Sequence, residues 1–232
     1  MRTDITEASP TPPPGDGPAT ERVHEALRAV ILDPDFPCLG ARAAFNRGTY
    51  GFALYDALAS DESTEALAAD LDRFAREADR ESGYTTFIAS FAHPKTLTPA
   101  VFEHLLWTQL HRLHQHDAAP WDASVSRDPE DGRFSFSFAG RAFFVVGLSP
   151  TGDRWARRFP WPTLAFNPHE QFERLRREGQ FQGLQEAVRS RDLLLEGALN
   201  PNLADFGEHT EARQYSGRPV EEDWRCPVRF DR

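Results

Sequence analysis

Arg133-Phe134-Ser135-Phe136-Ser137-Phe138 alternates between polar and large apolar side chains, Ala139-Gly140-Arg141 follows, and Ala142 to Leu148 is an unbroken apolar run. Period-two alternation, a turn and a continuous apolar stretch together describe a β-hairpin, with one half-exposed strand and one strand buried on both faces. The sequence on either side reads as further strands and helices.

Upstream, Val23, Leu27, Val30 and Ile31 recur at helical spacing from Glu21 until Asp33-Pro34. Phe36-Pro37-Cys38-Leu39-Gly40 reads as turn-rich, and Tyr50 to Tyr55 as a short strand. A second helix is expected over Ser63 to Arg80, with Leu67, Leu71 and Phe74 on one side. Thr85 to Phe91 is β-branched and aromatic, bounded by Gly83 and Pro94, and predicts a buried strand. Thr98-Pro99 is a cap followed by proline at the first helical position, opening a helix to about Gln115.

Downstream, Thr163 to Phe166 predicts a strand, and Asn167, Pro168 and Glu170 match cap, first position and capping box of a helix that breaks near Gly179. Helical spacing resumes from Gln182 to Leu195. Gly197 to Arg232 is irregular but has enough aromatic residues to pack. Residues 1–20 carry five prolines and almost no large apolar groups, the composition of a disordered tail. The expected fold is α+β: one domain over 21–232, with a small, mainly antiparallel sheet, a central hairpin and about five flanking helices.

The 36 acidic and 26 basic side chains leave a net charge of −10, which disfavours nucleic acid and anionic membrane surfaces as partners. Cys38 and Cys226 lie too far apart for a zinc motif or a dense disulfide framework, and the N-terminus lacks a signal-peptide apolar core. A cytoplasmic protein is the expectation. Lys95 is the only lysine, so arginine supplies nearly all the positive charge. Genome composition explains that simply, although guanidinium also grips carboxylates well.

No Walker loop, dinucleotide fingerprint, Gly-x-Ser-x-Gly elbow or His-Glu-x-x-His is present. His104, His111 and His114 share overlapping helix faces and read as a metal site or a polar face. His169, in the first turn of a helix, is disfavoured as imidazolium by the helix dipole, and a neutral imidazole is what a metal needs. An exposed first-turn histidine is the alternative. Arg154, Arg157 and Arg158 form a solvated loop or an anion site; Cys38 and Cys226 are redox or heme thiols, or small buried hydrophobes.

Several stretches in order carry a family resemblance. Phe36-Pro37-Cys38, Leu106 to Leu110, Phe136 to Gly140, Phe166 to Arg176, Glu211 to Arg218 and Trp224 to Pro227 resemble the YqcI/YcgG family over roughly residues 22 to 230. Gly152-Asp153 before Arg154, and Val228 after Pro227, depart from its usual pattern. The resemblance implies a guanitoxin-biosynthesis-type N-hydroxylase dependent on heme b. Such an enzyme uses dioxygen, with electrons from an external donor such as a ferredoxin or flavin reductase, on the side-chain nitrogen of a cationic amino acid. It makes His169 the expected axial ligand, with His114 and Cys38 as alternatives, and Arg154, Arg157 and Arg158 the propionate partners. Glu211 or Asp205 would meet the substrate's cationic end and Arg213 its carboxylate. A heme sensor, carrier or peroxide-handling protein, and a non-heme interaction domain, are the competing readings.

Overall fold

The hairpin forms as expected, but it closes one edge of the sheet instead of occupying its centre. The computed structural model describes residues 17–78, 83–198, 200 and 209–231. Five strands, β1 (Tyr50–Ala57), β2 (Thr86–His93), β3 (Phe136–Phe138), β4 (Arg141–Leu148) and β5 (Thr163–Pro168), lie in the order β1-β2-β5-β4-β3. β1 pairs parallel with β2, and the other pairings are antiparallel. The central strand is the short β5, because the chain crosses back after β4 and inserts between β4 and β2.

Seven α-helices surround the sheet among the described residues: α1 (Pro18–Ile31), α2 (Leu39–Arg47), α3 (Asp61–Glu77), α4 (Pro99–His116), α5 (His169–Arg177), α6 (Phe181–Glu196) and α7 (Ala212–Tyr215). The two beyond the expected five are α2 and α7. The cap of α2 is the Cys38 sulfur, which accepts from the Ala41 N–H at 3.5 Å; a thiol carries none of the usual cap signal. α7 is a single turn. α1 begins at Pro18, inside the stretch expected to be tail, since proline at the first helical position loses no hydrogen bond. Residues 1–16 lie outside the described residues.

Pleating divides the sheet between two cores. Phe87, Phe91, Phe143, Val145 and Phe166 face α3, α4 and the C-terminal residues Tyr215, Trp224 and Phe230. Phe52, Ile88 and Leu148 face α1, with Phe36, Phe45 and Phe159. β4 is therefore apolar without interruption because alternate residues feed different cores.

β3 departs from the half-exposed reading. Ser135 and Ser137 are fully buried, since both serines are consumed by hydrogen bonds inside the molecule. The Ser137 Oγ accepts from the Asp122 N–H at 2.9 Å, and Ser135 is described below. The turn places both Ala139 (φ 53°) and Gly140 (φ 70°) in the left-handed region, the geometry that matches strand twist in a two-residue hairpin.

Asn167 does not cap α5. β5 runs on to Pro168, and the Asn167 amide instead donates to the Phe144 carbonyl at 3.1 Å. Glu170 holds the fully buried Arg141, whose Nε donates to Oε1 at 2.8 Å while Nη1 reaches the Ala75 carbonyl at 3.1 Å. No helix among the described residues is long and apolar enough to cross a membrane.

Gly147 is where β4 touches α4 and α7. A Cβ there would lie 2.8 Å from both Leu106 Cδ1 and the Tyr215 carbonyl oxygen, whereas one on Gly183 in α6 would meet nothing within 4 Å. Gly147→Ala should destabilise by about 1–3 kcal/mol through overpacking, and Gly183→Ala should stabilise by up to about 1 kcal/mol by helix propensity. Urea denaturation of the two variants checks the contrast.

Candidate functional site

Two places concentrate functional chemistry. The first is an apolar cavity of about 270 Å³ between the sheet and α1, α2 and α6. Its floor is one cross-strand row, Ile88, Ala165 and Val146, which the strand registers place side by side. Gly40, Ala41, Ala44 and Ala156 line it with little bulk, so a slot stays open where larger residues would fill it. Its volume is near the lower end of ligand pockets, roughly 300–1,000 Å³.

Cys38 sits on the exposed rim of this cavity, with Tyr84 beside it and Arg189 across from the sheet. Cys38 and Tyr84 bear the lining atoms that iron takes in heme proteins; the lining contains no histidine. Burial raises the Tyr84 phenol, and the neighbouring Cys38 adds to it.

The second place is a buried polar chain at the β3 end of the sheet. β5 delivers His169 to the first position of α5, where it is 5% exposed. Its Nδ1 lies 3.4 Å from Ser135 Oγ and its Nε2 lies 3.2 Å from Glu173 Oε1, one helical turn on. Ser135 Oγ donates to Glu211 Oε1 at 2.6 Å, and the Tyr215 hydroxyl also bonds that oxygen. Burial holds His169 below its usual value, reinforced by Arg176 and opposed by Glu173. Burial pushes Glu211 up to about 8, against the pull of both hydroxyls and Arg176.

Of the residues expected from the sequence, the structure brings His169 and Glu211 together through Ser135. Asp205 lies outside the described residues. The three loop arginines do not converge. Arg154 pairs with Asp192 on α6 at 2.7 Å, and Arg158 donates to the Gly152 and Asp153 carbonyls at 2.9 and 2.8 Å. Arg157 points at the end of α7, donating to the carbonyls of Gly147 (3.0 Å) and Gln214 (3.2 Å). Burial lowers Arg157 to about 10, and Cys38 lies within its electrostatic reach. Arg213 is spent on the carbonyls of Glu221 (2.6 Å) and Glu222 (3.3 Å).

The helical histidines form no metal cluster: among the described residues no group of three His, Cys, Asp or Glu side chains is placed to hold an ion. His104 is exposed, while His114 packs edge-on against Phe230 and Trp121. Cys226 is buried in the larger core, its thiol pushed to about 12 by burial. Ser135, Tyr215 and Glu173 were missed in the sequence. Only Glu173 left a signal, four residues after His169.

The YqcI/YcgG family model matches residues 27–229. The chain belongs to the YqcI/YcgG family. It is 26% identical over 226 residues to the uncharacterized protein YcgG of Bacillus subtilis strain 168, covering 92% of this chain and 89% of that protein. It is 27% identical over 202 residues to the uncharacterized protein YqcI of the same strain, covering 83% and 80%. Over 160 residues it is 26% identical to the "Putative N(omega)-hydroxy-L-arginine synthase DcsA" of Streptomyces lavendulae, covering 64% of this chain and 59% of that protein. No solved structure matches it. The motif with the longest resemblance, Phe166 to Arg176, is the segment that joins β5 to the buried polar chain and to the cavity wall at Gln171 and Phe172.

Because Glu211 is held above its ordinary value of 4.5, the folded protein binds a proton there that the unfolded chain releases. The stability this contributes is present below pH 4.5 and is lost as pH rises toward about 8. Glu211→Gln should flatten that part of the stability profile. Urea denaturation at intervals across this window, for both proteins, reads the slope.

Proposed function

We propose that this family member is a heme-dependent N-oxygenase acting on the side-chain nitrogen of a basic amino acid or a derivative. The observation that carries the reading is an apolar, small-residue slot with a thiol on its rim, in a chain related to a protein named as an N-hydroxy-arginine synthase. Heme suits that donor set better than a free metal ion, because the lining offers a large apolar surface and one sulfur instead of several converging ligands.

In this reading Cys38 would hold the heme iron through its sulfur. His169 is the weaker choice: it lies outside the cavity lining, and both its ring nitrogens face protein partners. Arg189 on the lining would supply a cation to a propionate; burial raises the Cys38 thiol, opposed by the Ala41 and Gly40 N–H groups and by Arg157, and a bound iron would stabilise the thiolate. Bound heme supplies dioxygen activation at the expense of two electrons from an external donor, a ferredoxin or flavin reductase. The apolar walls would exclude water from the bound group.

The purified protein titrated with hemin should develop a Soret band, and its reduced carbon monoxide complex should show the red-shifted band of thiolate ligation. Cys38→Ala should lose that shift and His169→Ala should keep it; the reverse pattern returns the ligand role to His169. Incubation with arginine or lysine, dioxygen and a reducing system should add one oxygen atom to the amino acid, read by mass spectrometry. Heme binding without oxygen transfer to any basic amino acid favours a sensor or carrier.

A further inference from the structure

Four carboxylates are buried among the described residues: Asp70, Glu103, Asp192 and Glu211. The first three each meet an arginine, namely Arg73, Arg218 and Arg154. Glu211 meets two hydroxyls instead, both on Oε1, and among the described residues none bonds its Oε2. An ionised carboxylate this buried, with Arg176 acting only at a distance and no cation in contact, is costly, whereas a neutral acid is not.

The hydrogen-bond count around Tyr215 points the same way. Its hydroxyl accepts from the Phe136 N–H at 3.1 Å and has two acceptors in reach, Glu211 Oε1 and the Phe143 carbonyl at 3.2 Å. One phenolic proton cannot serve both. A proton on Glu211 resolves the conflict, since Glu211 then donates to Tyr215 and Tyr215 donates to Phe143. The contacts continue outward through Ser135 and His169 to Glu173, whose side chain is 41% exposed.

We infer that Glu211, Ser135, His169 and Glu173 form a proton relay that exchanges the Glu211 proton with solvent, with Tyr215 accepting that proton's hydrogen bond at Oε1. Each step moves one proton along one contact: from the solvent side at Glu173 to His169 Nε2, from Nδ1 to Ser135 Oγ, and from Oγ to Glu211 Oε1. The transfer protonates an ionised Glu211 and leaves His169 in its other tautomer; the reverse transfer along the same contacts returns the proton to solvent and restores it. Burial keeps His169 mostly neutral and Glu211 protonated. Among the described residues, the charged groups facing them are Arg176 and Glu173 from α5 and Asp122 from the segment before β3.

What consumes the proton rests on the oxygenase reading. One amine or guanidine N–H, one dioxygen, two electrons from the external donor and two protons give one N–OH and one water. In that reading the relay is a source of those protons.

Infrared spectroscopy of the full chain, without added heme or substrate, tests the relay separately from that reading. A carboxylic-acid carbonyl band should persist at pH 7, titrate near pH 8, vanish in Glu211→Gln and move in Ser135→Ala, which leaves the carboxyl in place. After a jump in pH, loss of the band should slow at least tenfold in Ser135→Ala and in His169→Phe. A midpoint in the ordinary carboxylate range, or unchanged rates in both variants, overturns the relay. A relay that behaves as expected in a protein that transfers no oxygen would instead overturn the oxygenase reading alone.

Discussion

Covering both faces of a five-stranded sheet leaves only its edges to terminate, and the edge at β3 governs the rest of the molecule. β3 pairs with β4 only from Arg141 to Phe143, so the remainder of β4 would expose backbone groups along an open edge. The single turn α7 fills that space. It approaches so closely at Gly147 that a side chain there cannot fit, and Arg157 ties its last carbonyls to β4. Tyr215, stacked on Trp107 with centroids 5.4 Å apart, extends its hydroxyl to both strands of the hairpin. Glu211 immediately precedes that turn, so closing the edge is also what buries its carboxyl.

The same geometry separates the two candidate centres while keeping them adjacent. Phe144 lines the apolar cavity, and its ring packs edge-on against Tyr215 with centroids 5.8 Å apart. One strand thus carries the wall between an apolar slot with a thiol at its rim and a polar chain that ends at a surface carboxylate. At Glu211, burial raises the pKa while the two hydroxyls pull it down and keep the acid hydrogen-bonded.

Much of the fold was legible because it rests on periodicity. The alternation before Ala139 and the apolar run after it define β3 and β4, and the spacing of Leu67 and Leu71, or of Phe102, Leu106 and Leu110, defines α3 and α4. What failed depended on distant contacts. Ser135 and Ser137 have the pattern of a solvent face and are buried, because Glu211 and Asp122 reach them from elsewhere in the chain. Glu170 has the position of a capping residue and instead holds Arg141 across 29 residues. No local rule marks the Cys38 sulfur as a helix cap. At the candidate site, His169 and Glu211 were visible as residues, but the serine that joins them was not, since its role exists only once β3 and α7 meet.

The arginine-rich composition acquires a structural meaning from these contacts. Arg141, Arg154, Arg157, Arg158 and Arg213 all donate to backbone carbonyls at turns and helix ends, where a planar fork can join two or three acceptors and an ammonium group cannot hold the same fixed geometry. Three buried carboxylates are neutralised by arginines of the same kind. In a chain so well supplied with guanidinium groups, a buried glutamate bonded only to hydroxyls is an exception with chemical consequences: Arg176 acts on it only at a distance, no ion pair locks it in its ionised form, and the proton remains exchangeable.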